Sequence, residues 1–194
     1  IVVDCGLGFP EDDMYGVDLV VPDVTYLIKN QQKLRGFFLT HGHEDHIGGL
    51  PYVLEQVNAP VHTTRLTAGL VQIKLEEHGL LDSTKIVTHE AGEVVKAGCF
   101  KVEFIHVNHS IADAVAFAIH PPVGVVVMTG DFKIDSTPIS GNIIDLARFG
   151  ALGNKGVLAL LCDSTNVERE GFSPSERKVS RSFDSMFKGC DQRI

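Results

Sequence analysis

The sequence predicts an α/β sandwich, with sheets packed between helices and no strict strand–helix–strand rhythm. Three observations predict it. Short, β-branched apolar runs recur along the 194 residues, helical stretches with their own stop signals lie between them, and a histidine-rich loop follows directly on one of the runs. The composition, 44% hydrophobic and 22% charged, suits a packed globular core and excludes wholesale disorder. No stretch of ~18 apolar residues is free of charges or turn signals, so no membrane-spanning helix is expected.

The strands are expected at residues 2–3, 19–21, 36–39, 101–107, 114–119, 123–128 and 157–161. Several are continuously apolar, as strands covered on both faces are, whereas Lys101-Val102-Glu103-Phe104 alternates. Helices are expected at 26–33, 50–57, 64–79 and 143–149. In the third of these, Thr64 is the candidate N-cap and Gly79 the stop, with Leu66, Leu70, Ile73 and Leu75 toward one side. A last helix starts at Ser173-Pro174-Ser175-Glu176, with Ser173 as N-cap, Pro174 at the first helical position and Glu176 completing a capping box. Its apolar face, Val179, Phe183, Met186 and Phe187, needs a partner surface.

The net charge of −8 argues against the usual basic-patch nucleic-acid binder. The charge is uneven. Residues 1–167 carry 11 Lys/Arg against 20 Asp/Glu, and residues 168–194 carry 6 against 5, which marks 168 as the start of a new unit. The four cysteines form no CxxC pair and read as buried reduced thiols of a cytoplasmic protein. Ile1-Val2-Val3 reads as the middle of a buried strand, so the expectation is an excised piece of a longer chain.

The chemistry lies in Phe38-Leu39-Thr40-His41-Gly42-His43-Glu44-Asp45-His46, where an apolar strand runs into three histidines and an aspartate within six residues. Imidazole plus carboxylate suits zinc, with manganese or iron as alternatives. One histidine in a turn would be an ordinary polar residue; this density points to metal. His109 and Asp131 also end apolar strands, the usual rim for a site in an α/β fold, and Asp131 is a candidate bridging carboxylate. His106 and His109 face opposite sides of an extended chain, so only one of them reaches a metal. His62, His78, His89 and His120 read as surface or capping residues.

These words together resemble the metallo-β-lactamase superfamily, and within it the ribonuclease J family of β-CASP nucleases. The resemblance rests on residues 40–49, Val3-Asp4-Cys5-Gly6, Gly16-Val17-Asp18-Leu19, His109-Ser110-Ile111-Ala112-Asp113, Thr129-Gly130-Asp131-Phe132-Lys133 and Cys162-Asp163-Ser164-Thr165-Asn166, in the family's order. It implies an incomplete metallo-β-lactamase-type αββα sandwich over 1–167 and the beginning of a β-CASP insertion over 168–194. It further implies a two-zinc phosphodiesterase acting on RNA. His41, His43 and His109 would hold one zinc, Asp45 and His46 the other, and Asp131 would bridge them. Asp4 would orient the histidine loop, and Asp163 would support a metal-site histidine. A structural calcium near Tyr15 and Val17, beside Glu11-Asp12-Asp13, is a further implication, as is assembly into a homo-oligomer or with a paralogue. The family's remaining metal histidine and RNA groove lie downstream, so the second zinc site is expected to be weak here and cleavage by residues 1–194 slight. The rival readings are a thioesterase or lactonase of the same fold and a non-catalytic RNA-binding subunit.

Overall fold

The computed structural model describes residues 1–139, 141–191 and 193. It contains two sheets. The first is wholly parallel, with β1 (Val2–Val3), β2 (Phe37–Phe38), β3 (Val61–Thr63) and β4 (Ile86–Thr88) in that order. The second orders β5 (Val94–Ala97), β6 (Phe100–His106), β7 (Val115–His120), β8 (Val126–Met128) and β9 (Ala159–Leu161), antiparallel up to β8 and parallel between β8 and β9. Strands β6, β8 and β9 therefore run the same way and end on one rim.

Alternation of side chains across the strands makes four layers. Phe37 and Leu39 point into one core with Val61, with Ile47 and Leu50, and with Val71 and Leu75. The helices that cover it are α1 (Thr25–Lys29), α2 (Glu44–Ile47), α3 (Leu50–Leu54) and α4 (Arg65–Glu77). Phe38, one residue on from Phe37, points the other way, into a core shared with Val102, Phe104, Val115 and Phe117 of the second sheet. Its ring meets Phe117 edge-on at 6.0 Å between centroids. The far face of the second sheet buries Ile105, Ala116, Ala118 and Val127 against Ile144 and Leu152, the latter on α5 (Leu146–Lys155). Helix, sheet, sheet, helix is the αββα order.

Glu103 shares that far face with Ile105, and Arg148 of α5 meets it as a fork, Nε donating to Oε1 at 2.5 Å and Nη2 to Oε2 at 2.8 Å. The Arg148 hydrogen bond holds the Glu103 carboxyl below the usual carboxylate range against the opposing effect of burial. A carboxyl whose pKa is lower folded than unfolded stabilises the fold above the unfolded value, ~4.3, and that stability is lost as pH falls through the folded value. Glu103→Gln leaves Arg148 half-paired and is expected to cost ~3 kcal/mol. Urea unfolding at neutral pH and below pH ~4 checks both: the wild-type advantage should shrink in acid.

Several elements differ from expectation. Residues 19–21 make one isolated bridge, Gly8 to Val20, in place of a strand, and Leu19 and Val21 stay exposed. Strands β3, β4 and β5 were not expected; at three or four residues each they are too short to show a period. The segment 26–33 divides into α1 and a 3₁₀ turn, Gln31–Lys33. In α4 the packed stripe is Thr67, Ala68, Val71 and Leu75, while Leu66 and Ile73 face outward. Small residues let that stripe approach the sheet. Thr64 precedes α4, but its hydroxyl donates to the Asp113 carbonyl, and Asp113 Oδ2 accepts the Leu66 N–H instead. Helix α5 begins three residues later than expected, with Asp145 accepting the Arg148 N–H. The final helix, α6 (Glu176–Phe187), is capped by Ser175, not Ser173.

Only Cys5 is buried, its thiol pushed up to about 12 by burial and then by Asp4; Cys99, Cys162 and Cys190 are exposed. His62 is likewise no surface residue. Its ring stacks on Phe38 at 4.7 Å, and Nδ1 meets His89 Nε2 at 3.0 Å, with Glu93 on the far side of His89. Burial, then His89 and Lys85, lowers the His62 pKa to about 4. The unfolded chain therefore binds the extra proton first as pH drops below ~6.5, and stability falls from there toward pH ~4. In His62→Phe this component should vanish, so the variant should lose less stability than wild type between pH ~7 and ~5 in parallel denaturant titrations.

Candidate metal centre

The C-terminal ends of β1, β2, β6, β8 and β9 bring Asp4, His41, His109, Asp131 and Asp163 to one rim, and the loop into α2 adds His43, Asp45 and His46. Two glycines let these ends meet. A Cβ on Gly6 would lie 1.7 Å from the Asp45 carbonyl oxygen, because the chain after β1 packs backbone to backbone on the histidine loop. Cys5 N–H donates to His46 O at 2.7 Å and Gly49 N–H to Cys5 O at 2.9 Å in the same seam. Gly130, with φ +56°, turns the chain next to Thr40, where a Cβ would come within 2.9 Å of the Thr40 Cβ.

Ligand-type atoms converge in two groups. One atom each from His41, His43, His109 and Asp131 lie within 4.8 Å of one another, as do atoms from Asp45, His46 and Asp131. Asp131 belongs to both. His41 Nε2 is 3.0 Å from His43 Nδ1, and His43 Nδ1 is 3.2 Å from His109 Nε2. Asp131 sets Oδ2 at 3.5 Å from His109 Nε2 and Oδ1 at 3.3 Å from His46 Nε2. Asp45 Oδ2 lies 3.6 Å from that same His46 nitrogen, and Asp45 is the most exposed of the set.

The protonation pattern suits a cation. His41 is fully buried; burial first, then His46, His109 and His43, lowers its pKa to about 3, so it stays neutral. Its Nδ1 lies 3.0 Å from Thr40 Oγ1, and Thr40 Oγ1 donates to Asp4 Oδ2 at 2.8 Å. That chain puts the His41 proton on Nδ1 and leaves Nε2 as a lone-pair donor. His109 is also lowered, by burial ahead of the opposing Asp131. At His46, burial pulls downward but the Asp4 hydrogen bond and the Asp4, Asp131 and Asp45 charges outweigh it, and the pKa is raised. Nitrogen and carboxylate donors in this number fit zinc or a similar divalent ion.

Asp4 ties the site together. It sits at φ +58°, in the left-handed region that aspartate tolerates better than most residues. From there Oδ1 accepts the Thr40 N–H at 2.8 Å, and Oδ2 meets both the Thr40 hydroxyl and His46 Nδ1, the latter at 2.7 Å. A carboxylate on the far nitrogen of an imidazole fixes which nitrogen faces the metal. Asp163 takes a different place: Oδ1 accepts the Thr165 N–H at 2.8 Å and Oδ2 the Phe132 N–H at 3.5 Å. It acts on His109 through charge, with no hydrogen bond between the two among the described residues.

His106 is turned away, its Nε2 meeting the Asn142 carbonyl at 2.8 Å, as strand alternation requires. Sequence reasoning assigned no part to Thr40 or Asn108. Asn108, next to His109, accepts the Ile144 N–H and donates to Asn142 O; its position beside a candidate ligand was the only signal. Around Tyr15 and Val17, by contrast, the side chains of Glu11, Asp12 and Asp13 form no ligand group among the described residues.

The αββα fold and the two-centred His/Asp cluster define the class. The chain belongs to the metallo-β-lactamase superfamily, whose family model matches residues 1–149. Across its whole length it is 49% identical to ribonuclease J of Synechocystis sp. and 42% identical to ribonuclease J of Helicobacter pylori. It spans 31% and 28% of those relatives, respectively. The fold also resembles a crystallised protein of unknown function from Enterococcus faecalis, with a TM-score of 0.62 at 16% identity over 96% of this chain and 51% of that one.

Proposed function

We propose that this chain is the metal-binding part of a zinc-dependent ribonuclease that hydrolyses RNA phosphodiester bonds as a 5′–3′ exonuclease, an endonuclease or both. The reading is carried by one observation: three imidazoles and one carboxylate converge, and the same carboxylate belongs to a second group. Identity to ribonuclease J over the whole chain supports RNA as the substrate. In this reading His41, His43 and His109 hold one zinc, Asp45 and His46 the other, and Asp131 both. Residues 168–194 begin an inserted β-CASP module, and the protein works in the cytoplasm as a homo-oligomer or with a paralogue.

When bound, such cations would bring a water's pKa toward neutrality and offset negative charge on the phosphoryl oxygens. The chain's own part is to hold geometry. Thr40 keeps the His41 proton on Nδ1, away from the centre, and Asp4 does the same for His46. Burial keeps His41 neutral, so its lone pair stays available at any pH at which the protein is folded. Asp163 steadies the Phe132 amide next to Asp131.

The test is cleavage of end-labelled RNA by the complete protein, wild type and His43→Ala, with and without chelator and added zinc. The expected result is zinc-restored cleavage by wild type and none by the variant, with RNA binding retained. Turnover of a thioester or lactone in place of RNA, or cleavage indifferent to chelator and to His43, would overturn it.

A further inference from the structure

The segment just beyond Asp131 is fastened to the head of α6. Asp135 is almost fully buried, and both its oxygens are used: Oδ1 accepts the Thr137 N–H at 2.9 Å and Oδ2 the Glu176 N–H at 3.0 Å. Ser175 Oγ donates to Thr137 O at 2.9 Å, and Arg177 Nη2 donates to Pro138 O at 3.1 Å. Lys133 forms an ion pair with Glu176. The Lys133 backbone N–H in turn donates to Asn108 O at 2.7 Å, one residue before His109. The positions next to two candidate ligands are thus bonded to each other and, through Lys133 and Asp135, to the first turn of α6. Beyond that turn α6 is loosely held, with Val179, Phe183, Met186 and Phe187 all exposed.

From this geometry we infer that Lys133, Asp135 and Glu176 are positioning residues for Asp131. The docking of the first turn of α6 sets where the shared carboxylate stands, so a shift of α6 changes metal affinity. None of the three is a ligand in the two groups. Lys133 and Asp135 lie two and four residues from Asp131, on a segment with no regular secondary structure to fix its path. Without the clamp, only the Lys133–Asn108 backbone bridge and the weak Asp163 contact would direct that segment. The inference rests on the metal-centre reading above and adds to it a link between the centre and the helix that follows it.

The test uses the complete protein in four variants: Asp135→Asn, Lys133→Met, Lys133→Arg and, as a control, Asp131→Asn. Zinc affinity is measured against a competing chelator, and the visible spectrum of the cobalt-substituted protein reports ligand geometry. Thermal unfolding of the metal-free forms reports folding. Asp135→Asn is expected to weaken zinc binding ~10–100-fold, as loss of a partner one step outside a metal's ligands does, and to alter the cobalt spectrum. Lys133→Met, an exchange at a partly exposed pair that leaves the core intact, should weaken binding in the same direction, and Lys133→Arg should restore most of it. Folded Asp135→Asn and Lys133→Met proteins with unchanged zinc affinity and cobalt spectra would overturn the clamp. If Asp131→Asn also binds zinc normally, the metal-centre reading itself fails; if only that control loses zinc, the clamp alone fails.

Discussion

Asp131→Asn is expected to abolish tight zinc binding and RNA cleavage together in the complete protein, the largest functional effect of any single replacement. Asp131 is the one residue shared by both ligand groups, with Oδ2 toward His109 and Oδ1 toward His46. An amide offers one neutral oxygen and an NH₂ that repels a cation, so neither group keeps its anionic member. The loss should exceed the ~10–100-fold that follows removal of a partner outside the ligand set. Chelator-competition titration and RNA cleavage, measured on the same preparation, check it. Because Asp131 is half-exposed and at a strand end, metal-free thermal stability should change little. A variant that folds but retains wild-type zinc affinity would remove Asp131 from the centre.

Asp4→Ala is expected to give the largest combined effect on stability and binding. It strands three donors at once: the Thr40 N–H, the Thr40 hydroxyl and His46 Nδ1. Thr40 is fully buried, and an unsatisfied buried group costs ~1–3 kcal/mol, so ~3 kcal/mol in total is expected even if solvent reaches His46. Alanine at φ +58° adds ~1 kcal/mol of backbone strain. Freed from Asp4, the His46 imidazole can turn or change tautomer, and zinc affinity on the Asp45–His46 side should fall ~10–100-fold. Asp4→Asn separates the two effects. Asparagine accepts the left-handed backbone but places an NH₂ where Thr40 or His46 already donates, so it should recover part of the stability and little of the metal affinity. Urea unfolding and zinc titration of both variants are the measurements; equal recovery of both quantities in Asp4→Asn would contradict the division of roles.

How much of this was legible in the sequence depends on range. Phe37, Phe38 and Leu39 announce a strand covered on both faces, and His41 to His46 announce a metal loop, because all their information lies within a few neighbouring residues. His109 and Asp131 could be named because each closes an apolar run. Long-range hydrogen bonds left no such trace. Helix α4 takes its cap from Asp113, 47 residues away, which no local pattern shows. Ser173 has the better capping-box sequence, yet Ser175 caps α6, because Asp135 and Thr137 secure the Ser175–Glu176 pair from across the chain. The outward turn of Leu66 and Ile73 has the same origin: α4 is oriented by the sheet beneath it, and Val71 and Leu75 fit there better. Thr40 reads as a filler between strand and ligands, but its contacts to Asp4 and His41 make it the join between them.

The most direct measurement is anomalous diffraction at the zinc absorption edge from crystals of the complete, zinc-loaded protein. The expected result is two peaks on the strand-end rim, each ~2.0–2.2 Å from its ligand atoms. One should be bonded to His41, His43, His109 and Asp131, the other to Asp45, His46 and Asp131. Zinc found elsewhere, or at the rim without Asp131 among its ligands, would contradict the shared-carboxylate centre on which the proposed chemistry depends.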